Sequence, residues 1–409
     1  MPEFDIFSLP NGVRVVHRAV ERPVGHLNFH LAIGSRDERE EEQGLAHFTE
    51  HCLFKGTRRR RAYHILSRME DAGGELNAYT GKEEMVMTTS FLRGDYPRAA
   101  DLLSDVLLHS TFPEREVAKE REVVLDEINS YRDNPSESIF DDFEEQLFAG
   151  HSLGRNILGR PASVRSFQSA DISRFIQKHL GSNVLVISSV GPISSQRLQK
   201  LLSKTVGREP LQVLHRNKHK PSSCRQSLVQ KRPIHQTHAV LGTAAYAARS
   251  PGSLSLMLLN NLLGGPGMNS RLNLNIRERY GFTYYLESFY QPYSDTGLFG
   301  IYLATDPGTA HRTIELIYKE MRKLRDKPLG VLQLQRAKRQ MLGQWAMAQE
   351  NNAALAQAYG KSLLMFDHIE NFDSITRKVE AISSKDLQAV AQELLQPEDW
   401  SSLMYRSPS

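Results

Sequence analysis

The strongest constraint on the fold of this 409-residue chain is that its second half repeats the element order of its first. The repeat is one of pattern more than identity. An alternating strand at 26–33 precedes a helix at 43–54, a second helix at 62–71, and β-rich stretches at 77–80 and 85–91. A helix from 95 to 109 and a long helix from 114 to 131 follow. Segments 171–179 (helix) and 183–190 (strand) close the series. The series returns as strand 238–242, helix 254–263, strands 283–286 and 297–303, helix 309–325 and long helix 330–349, closed by 383–395 and 400–405. Recurrence over about 200 residues predicts a duplicated α+β domain, each copy an antiparallel-rich sheet covered by helices. Residues 206–225 are rich in Lys, His and Ser and contain Pro210 and Pro221, the composition of a linker. The expected division is therefore 1–205, a linker at 206–225, and 226–409. The histidines His215, His219 and His235 read as solvated.

Local punctuation agrees with this division. Asn11-Gly12 marks a hairpin turn within 5–20, and Gly73-Gly74 ends the helix at 62–71. Asp95 is positioned as a cap with Pro97 in the first turn. Asp133-Asn134-Pro135 ends the long helix, more helix runs to Phe148, and 151–159 reads as a loop.

The chemistry concentrates in Gly44-Leu45-Ala46-His47-Phe48-Thr49-Glu50-His51. On a helix, His47 and His51 are one turn apart and share a face. Two neutral imidazoles aimed at one point suit zinc. Glu50 projects from nearly the same face and can reach a water beside the metal without ligating it. Zinc lowers the pKa of such a water toward ~7, and a carboxylate can then take its proton. The order His-x-x-Glu-His inverts the commoner zinc-peptidase order. The second copy has Leu258-Leu259-Asn260-Asn261-Leu262 at this place, so only the first copy is equipped for metal. His26 and His30 share a strand face but have no acid at a suitable spacing. Cys52 sits about 100° round the helix from His51 and reads as a core thiol.

A third ligand must come from another element. The helix at 114–131 offers Glu116, Glu120, Glu122, Asp126 and Glu127. Glu120 and Glu127 are two turns apart and share a face. One can ligate while the other hydrogen-bonds a ligating histidine; spacing does not choose between them, and a solvated acidic face would look the same.

With these residues the chain resembles the pitrilysin/insulinase family of zinc metallopeptidases, in the short branch of mitochondrial processing peptidase and its bacterial relatives. The resemblance spans essentially the whole chain. It rests on His47-Phe48-Thr49-Glu50-His51 with the distal Glu120 to Ile128 segment. Gly34-Ser35-Arg36, Phe54-Lys55-Gly56-Thr57, Asn77-Ala78-Tyr79-Thr80, 151–159 and 270–284 add to it. It implies His47, His51 and Glu127 as ligands of one Zn2+ per chain, Glu50 as general base and Glu120 behind a ligand. It implies that Arg277 and Tyr284 grip the scissile carbonyl and its oxyanion. It also implies that Asn77 and Ala78 lie on an edge strand that pairs with an extended peptide. In this branch two chains usually enclose a chamber, which implies a homodimer, or a heterodimer, with Arg277 and Tyr284 acting on the partner's site. Thr49 and Cys52 stand where larger apolar residues are commoner. Gly264-Gly265-Pro266-Gly267 resembles the family's flexible loop but is short.

The expected function is thus a zinc-dependent metalloendopeptidase, a hydrolase acting on extended peptides or unfolded polypeptides. The alternative is a non-catalytic structural or partner subunit, against which the complete residue set argues. Composition excludes little else. Hydrophobic content of 40%, charged content of 24% and a net charge of +4 are those of a globular protein with no nucleic-acid bias. The one basic run, Arg58-Arg59-Arg60-Arg61, reads as a solvated loop or helix start. Two cysteines make no disulfide framework. With no signal peptide or transmembrane run visible, the expected location is the cytoplasm.

Overall fold

The structure, a computed structural model, describes residues 3–215 and 219–408; positions 216–218 of the expected linker lie outside them. Among the described residues no helix is long and apolar enough to cross a membrane. The chain is α+β and divides into two compact units.

The first unit contains the residues up to Asn129, those from Arg155 to His215, and Met347–Ile369. Its strands are β1 (Asp5–Ser8), β2 (Arg14–Ala19), β3 (Val24–Leu31), β4 (Glu75–Thr80), β5 (Met85–Leu92) and β6 (Leu185–Gly191). They are ordered β1-β2-β6-β3-β5-β4, and only β2 and β6 run parallel. Both sheet faces are covered. One carries Val15, Leu27, Phe29, Leu31, Met87 and Ile187 into a core with Phe48, Leu53, Leu103 and Phe175 from the helices. The other, with Val16, Val186 and Val190, is covered by Leu355, Ala356, Tyr359 and Leu363 of helix Asn352–Phe366. Two-sided burial makes β6 buried at all seven positions, Ser188 and Ser189 included, rather than buried at alternate ones. The covering helix comes so near the sheet that a Cβ at Gly360 would lie 2.1 Å from His30 Nε2.

The second unit contains Ser130–Gly154, the residues from His219 to Ala346, and those from Glu370 onward. Its strands are β7 (Ser227–Lys231), β8 (Thr237–Ala245), β9 (Thr283–Pro292), β10 (Gly297–Thr305) and β11 (Ser401–Arg406). The order β7-β11-β8-β10-β9, with β7 and β11 parallel, reproduces β2-β6-β3-β5-β4. One face packs on helices Ser253–Gly264, Ala310–Asp326 and Ser384–Leu394. The other is covered by Ile139, Phe143 and Leu147 of helix Pro135–Leu147, against Val240, Leu298, Tyr302 and Leu403.

Each sheet therefore takes its second cover from the opposite half of the sequence. Residues 135–147 precede the linker yet pack on the later sheet, and 352–366 follow it yet pack on the earlier one. A single cut at 206–225 does not describe this. The repeat reports the order of elements, not which copy of the sheet an apolar helix face covers.

Other details differ from the sequence reading. Helices Ser195–Lys204, Asn352–Phe366 and Phe372–Ala381 and strand β7 were not anticipated, and β9 continues to Pro292. Asp95 precedes its helix but makes no side-chain cap; its Oδ1 accepts instead from Arg98 Nε at 3.0 Å. The basic run is not uniformly solvated. Arg60 is mostly buried and paired with Asp101 and the buried Asp105, which also accepts from Thr57 Oγ1 at 2.8 Å. Arg59 joins Asp101 at 3.0 Å. These bonds tie the loop after the motif helix to helix Tyr96–His109.

Candidate metal centre

His47, Glu50 and His51 all lie on helix Leu45–Leu53. Phe48 and Leu53 are buried with no exposed surface, and the helix packs between β4 and helix Ser169–His179. This orientation leaves the two histidines on the face toward helix Glu114–Arg132. Their rings are 4.5 Å apart, edge to face. Glu127 Oε2 stands 3.7 Å from His47 Nε2 and 3.5 Å from His51 Nε2. His47, His51 and Glu127 are the one group of three potential metal donors found among the described residues, with ligand atoms all within 4.8 Å.

The choice left open by spacing is made by direction. Glu120 does not face the open nitrogens. Its Oε1 accepts from His51 Nδ1 at 2.8 Å, and its Oε2 pairs with Lys55 Nζ at 2.6 Å. That leaves His51 Nε2 as the free lone pair and fixes the ring behind it, the arrangement common behind metal-bound histidines. Glu127, two turns farther along the same helix, reaches the front of both rings.

The donor set fits zinc. A tetrahedral ion with bonds of about 2.0–2.2 Å needs donors roughly 3.3–3.6 Å apart, close to the Glu127 distances. Glu127 Oε2 is shielded from solvent and accepts no hydrogen bond, although buried carboxylate oxygens normally do. Burial, helped by the neighbouring His51, lowers the His47 pKa to about 3, so this ring is neutral and keeps a lone pair. For His51 burial acts downward, but the Glu120 hydrogen bond and the charges of Glu50, Glu127 and Glu120 prevail and raise it. Burial would raise Glu120, yet the bonds from His51 and Lys55 hold it lowered and ionised.

Glu50 is held from the sheet side. Thr80, the last residue of β4, donates its hydroxyl to Glu50 Oε2 at 2.9 Å. Burial raises the Glu50 pKa, with Glu127 adding to the effect and Thr80 and His51 opposing it. Asn77 and Ala78 lie on β4, an edge of the six-stranded sheet. The Ala78 N–H is taken by Asn77 Oδ1 at 2.8 Å.

Residues 20–160 match the family described as Insulinase (Peptidase family M16), and 166–341 match the description Peptidase M16 inactive domain. An uncharacterized zinc protease of Streptomyces coelicolor is 30% identical over 399 residues, 95% of this chain and 86% of that protein. This chain belongs to the insulinase family, peptidase family M16. A second relative, an uncharacterized zinc protease of Bacillus subtilis, is 30% identical with 98% of each chain covered. The beta subunit of the mitochondrial-processing peptidase of Bos taurus is 27% identical, over 95% of this chain and 81% of that subunit. The fold is matched by a solved Pseudomonas fluorescens structure described as a peptidase M16 inactive domain. Its TM-score is 0.92 at 20% identity, covering 99% of this chain and 98% of that one.

In this insulinase-family chain Arg277 and Tyr284 belong to the second unit. Arg277 sits on the π-helical stretch Asn273–Glu278, its Nη1 donating to Asn273 Oδ1 at 3.2 Å. Tyr284 is 61% exposed at the start of the edge strand β9, and its hydroxyl has no partner among the described residues. It is not a core tyrosine. His26 and His30 are both held by serines of neighbouring strands. His26 Nδ1 meets Ser90 Oγ at 2.9 Å and His30 Nε2 meets Ser188 Oγ at 3.0 Å. Cys52 is fully buried, and burial raises its thiol pKa to about 12.

Three residues near the site had no assigned role in the sequence reading: Thr80, Lys55 and Glu38. Thr80 and Lys55 lie inside motifs already singled out, and only the tertiary contacts reveal what they hold. Nothing in the spacing of Glu38 signals its contact with the motif helix.

Proposed function

We propose that this chain is a zinc-dependent metalloendopeptidase that hydrolyses peptide bonds in extended peptides or unfolded polypeptides. The convergence of His47 Nε2, His51 Nε2 and Glu127 Oε2 beside Glu50 carries the reading. These three residues would hold one zinc per chain, which when bound supplies Lewis acidity toward a carbonyl and toward water. Glu50 takes the proton of the attacking water and returns it to the leaving amine. Its partly desolvated carboxylate is more basic than an exposed one, and Thr80 fixes which oxygen is free. The open edge of β4 offers backbone groups at Asn77 and Ala78 to an extended substrate strand. Asn77 Oδ1 would give up the Ala78 N–H as that strand docks. Arg277 and Tyr284 supply a fixed cation and a neutral donor for the carbonyl oxygen and the oxyanion, from this chain or from a partner in a dimer that encloses the substrate.

The deciding experiment compares wild type and Glu50→Gln on a quenched peptide while zinc content is measured. The variant is expected to keep its metal and lose turnover. Undiminished hydrolysis by Glu50→Gln refutes the assignment. A wild type that neither binds zinc nor cleaves favours a non-catalytic subunit. Mixing inactive Glu50→Gln and Arg277→Ala chains restores activity if the site is shared between chains; no recovery, with exchange confirmed, refutes sharing.

A further inference from the structure

The motif helix lacks an ordinary N-terminal cap. Its first N–H groups have no intrahelical acceptor, and the cap position is Gly44, with φ +92° and no side chain to offer. A side chain cannot be added there. A Cβ on Gly44 would lie 2.7 Å from Leu158 O and 2.8 Å from Gly159 Cα. The acceptors come from Glu38, six residues upstream. Its Oε2 accepts from Gly44 N at 3.0 Å and its Oε1 from Ala46 N at 2.7 Å. Glu38 is 4% exposed. Its backbone is anchored by Arg155, whose Nη1 donates to Glu38 O at 2.9 Å while Nη2 pairs with Glu40 at 2.7 Å.

The two histidines are held differently. His51 is oriented from behind by Glu120. His47 Nδ1 is buried and has no partner among the described residues. The position of the His47 ring is therefore set by packing and by the backbone of the helix's first turn, where His47 is the third residue. That turn is the part Glu38 holds. Burial raises the Glu38 pKa to about 8, against the lowering by its two backbone N–H bonds, and those bonds go to the N-terminus of the helix that carries both histidines.

We infer that Glu38 is the positioning residue for His47, acting through the first turn of the motif helix to set zinc affinity. The inference rests on the reading of His47 as a zinc ligand. Glu38→Gln retains one acceptor and turns an amide N–H toward a backbone N–H. Glu38→Asp retains a carboxyl group but is too short to reach both donors. Zinc affinity is measured by chelator competition and apo-protein stability by thermal melting in EDTA, both on the full chain. Either folded variant is expected to bind zinc at least about tenfold more weakly, the scale of lost support behind a metal ligand. Because the cap acts on His47, Glu38→Gln in a His47→Ala background is expected to change residual zinc affinity less than twofold. A lowered melting temperature with zinc affinity within twofold of wild type, in either variant, overturns the inference and leaves a purely structural cap. A wild type that binds no zinc overturns the metal reading itself, and this inference with it.

Discussion

Replacing Thr80 with valine tests how Glu50, the proposed general base, is held. The substitution exchanges a hydroxyl for a methyl of nearly the same size, so no cavity opens and the Thr80–Met85 pairing of β4 with β5 is kept. The loss is the 2.9 Å bond to Glu50 Oε2. A hydrogen bond to a charged group contributes about 1.5–3 kcal/mol. The bond is only partly buried, so about 1–2 kcal/mol is the appropriate range. If the bond serves to aim Glu50, that energy appears in the barrier, a fall in kcat of roughly 5–30-fold. KM and zinc content should stay within twofold, because the backbone edge and the three donors are untouched. Thr80→Ser keeps the hydroxyl and should retain most of the rate. The assay is steady-state cleavage of a quenched peptide, with metal content measured on the same samples. A Thr80→Val enzyme within twofold of wild-type kcat refutes the reasoning. So does a Thr80→Ser enzyme as impaired as the valine variant.

Two other outcomes follow from the geometry. Glu120→Gln places an amide between His51 Nδ1 and Lys55 Nζ, and one of those two donors loses its acceptor; chelator competition should show zinc bound about 10–100-fold more weakly, and affinity within twofold of wild type would contradict the role of Glu120. Burial, with Lys361 adding to it, lowers the His30 pKa from 6.5 to about 3. Between those values the unfolded chain binds the proton and the folded chain does not, so stability falls as pH drops below 6.5, by about 2–3 kcal/mol at pH 4.5 from this group. His30→Gln should be less sensitive to acid than wild type by that amount in urea unfolding at pH 7 and 4.5; parallel losses in the two proteins would contradict it.

Much of the site was legible because its chemistry is local. His47, Glu50 and His51 are one helical turn, and the i, i+4 rule places both rings on one face whatever surrounds the helix. Glu120 and Glu127 were legible only as a pair. A two-turn spacing puts both on the same face, so periodicity carries no information about which of them meets the front of a histidine and which the back. The side-chain directions of two packed helices decide that. Arg60 was misread for a related reason: four consecutive arginines look alike in sequence, and only Asp101 and Asp105, forty residues away, single one out.

By itself the sequence determined that the chain is a duplicated α+β protein and that only its first copy carries a histidine pair at the motif, with Glu120 and Glu127 both left as candidates for a third donor. These follow from periodicity, the order of elements along the chain and residue chemistry, all of which are written in the sequence without knowledge of which segments pack together. Only the tertiary structure decided that helices 135–147 and 352–366 cover the sheets of the opposite halves. It also brought Glu38 to the first turn of the motif helix, Lys55 to Glu120 and Thr80 to Glu50. The physical reason is that an apolar helix face or a single carboxylate specifies what kind of neighbour it needs, but not where along the chain that neighbour lies.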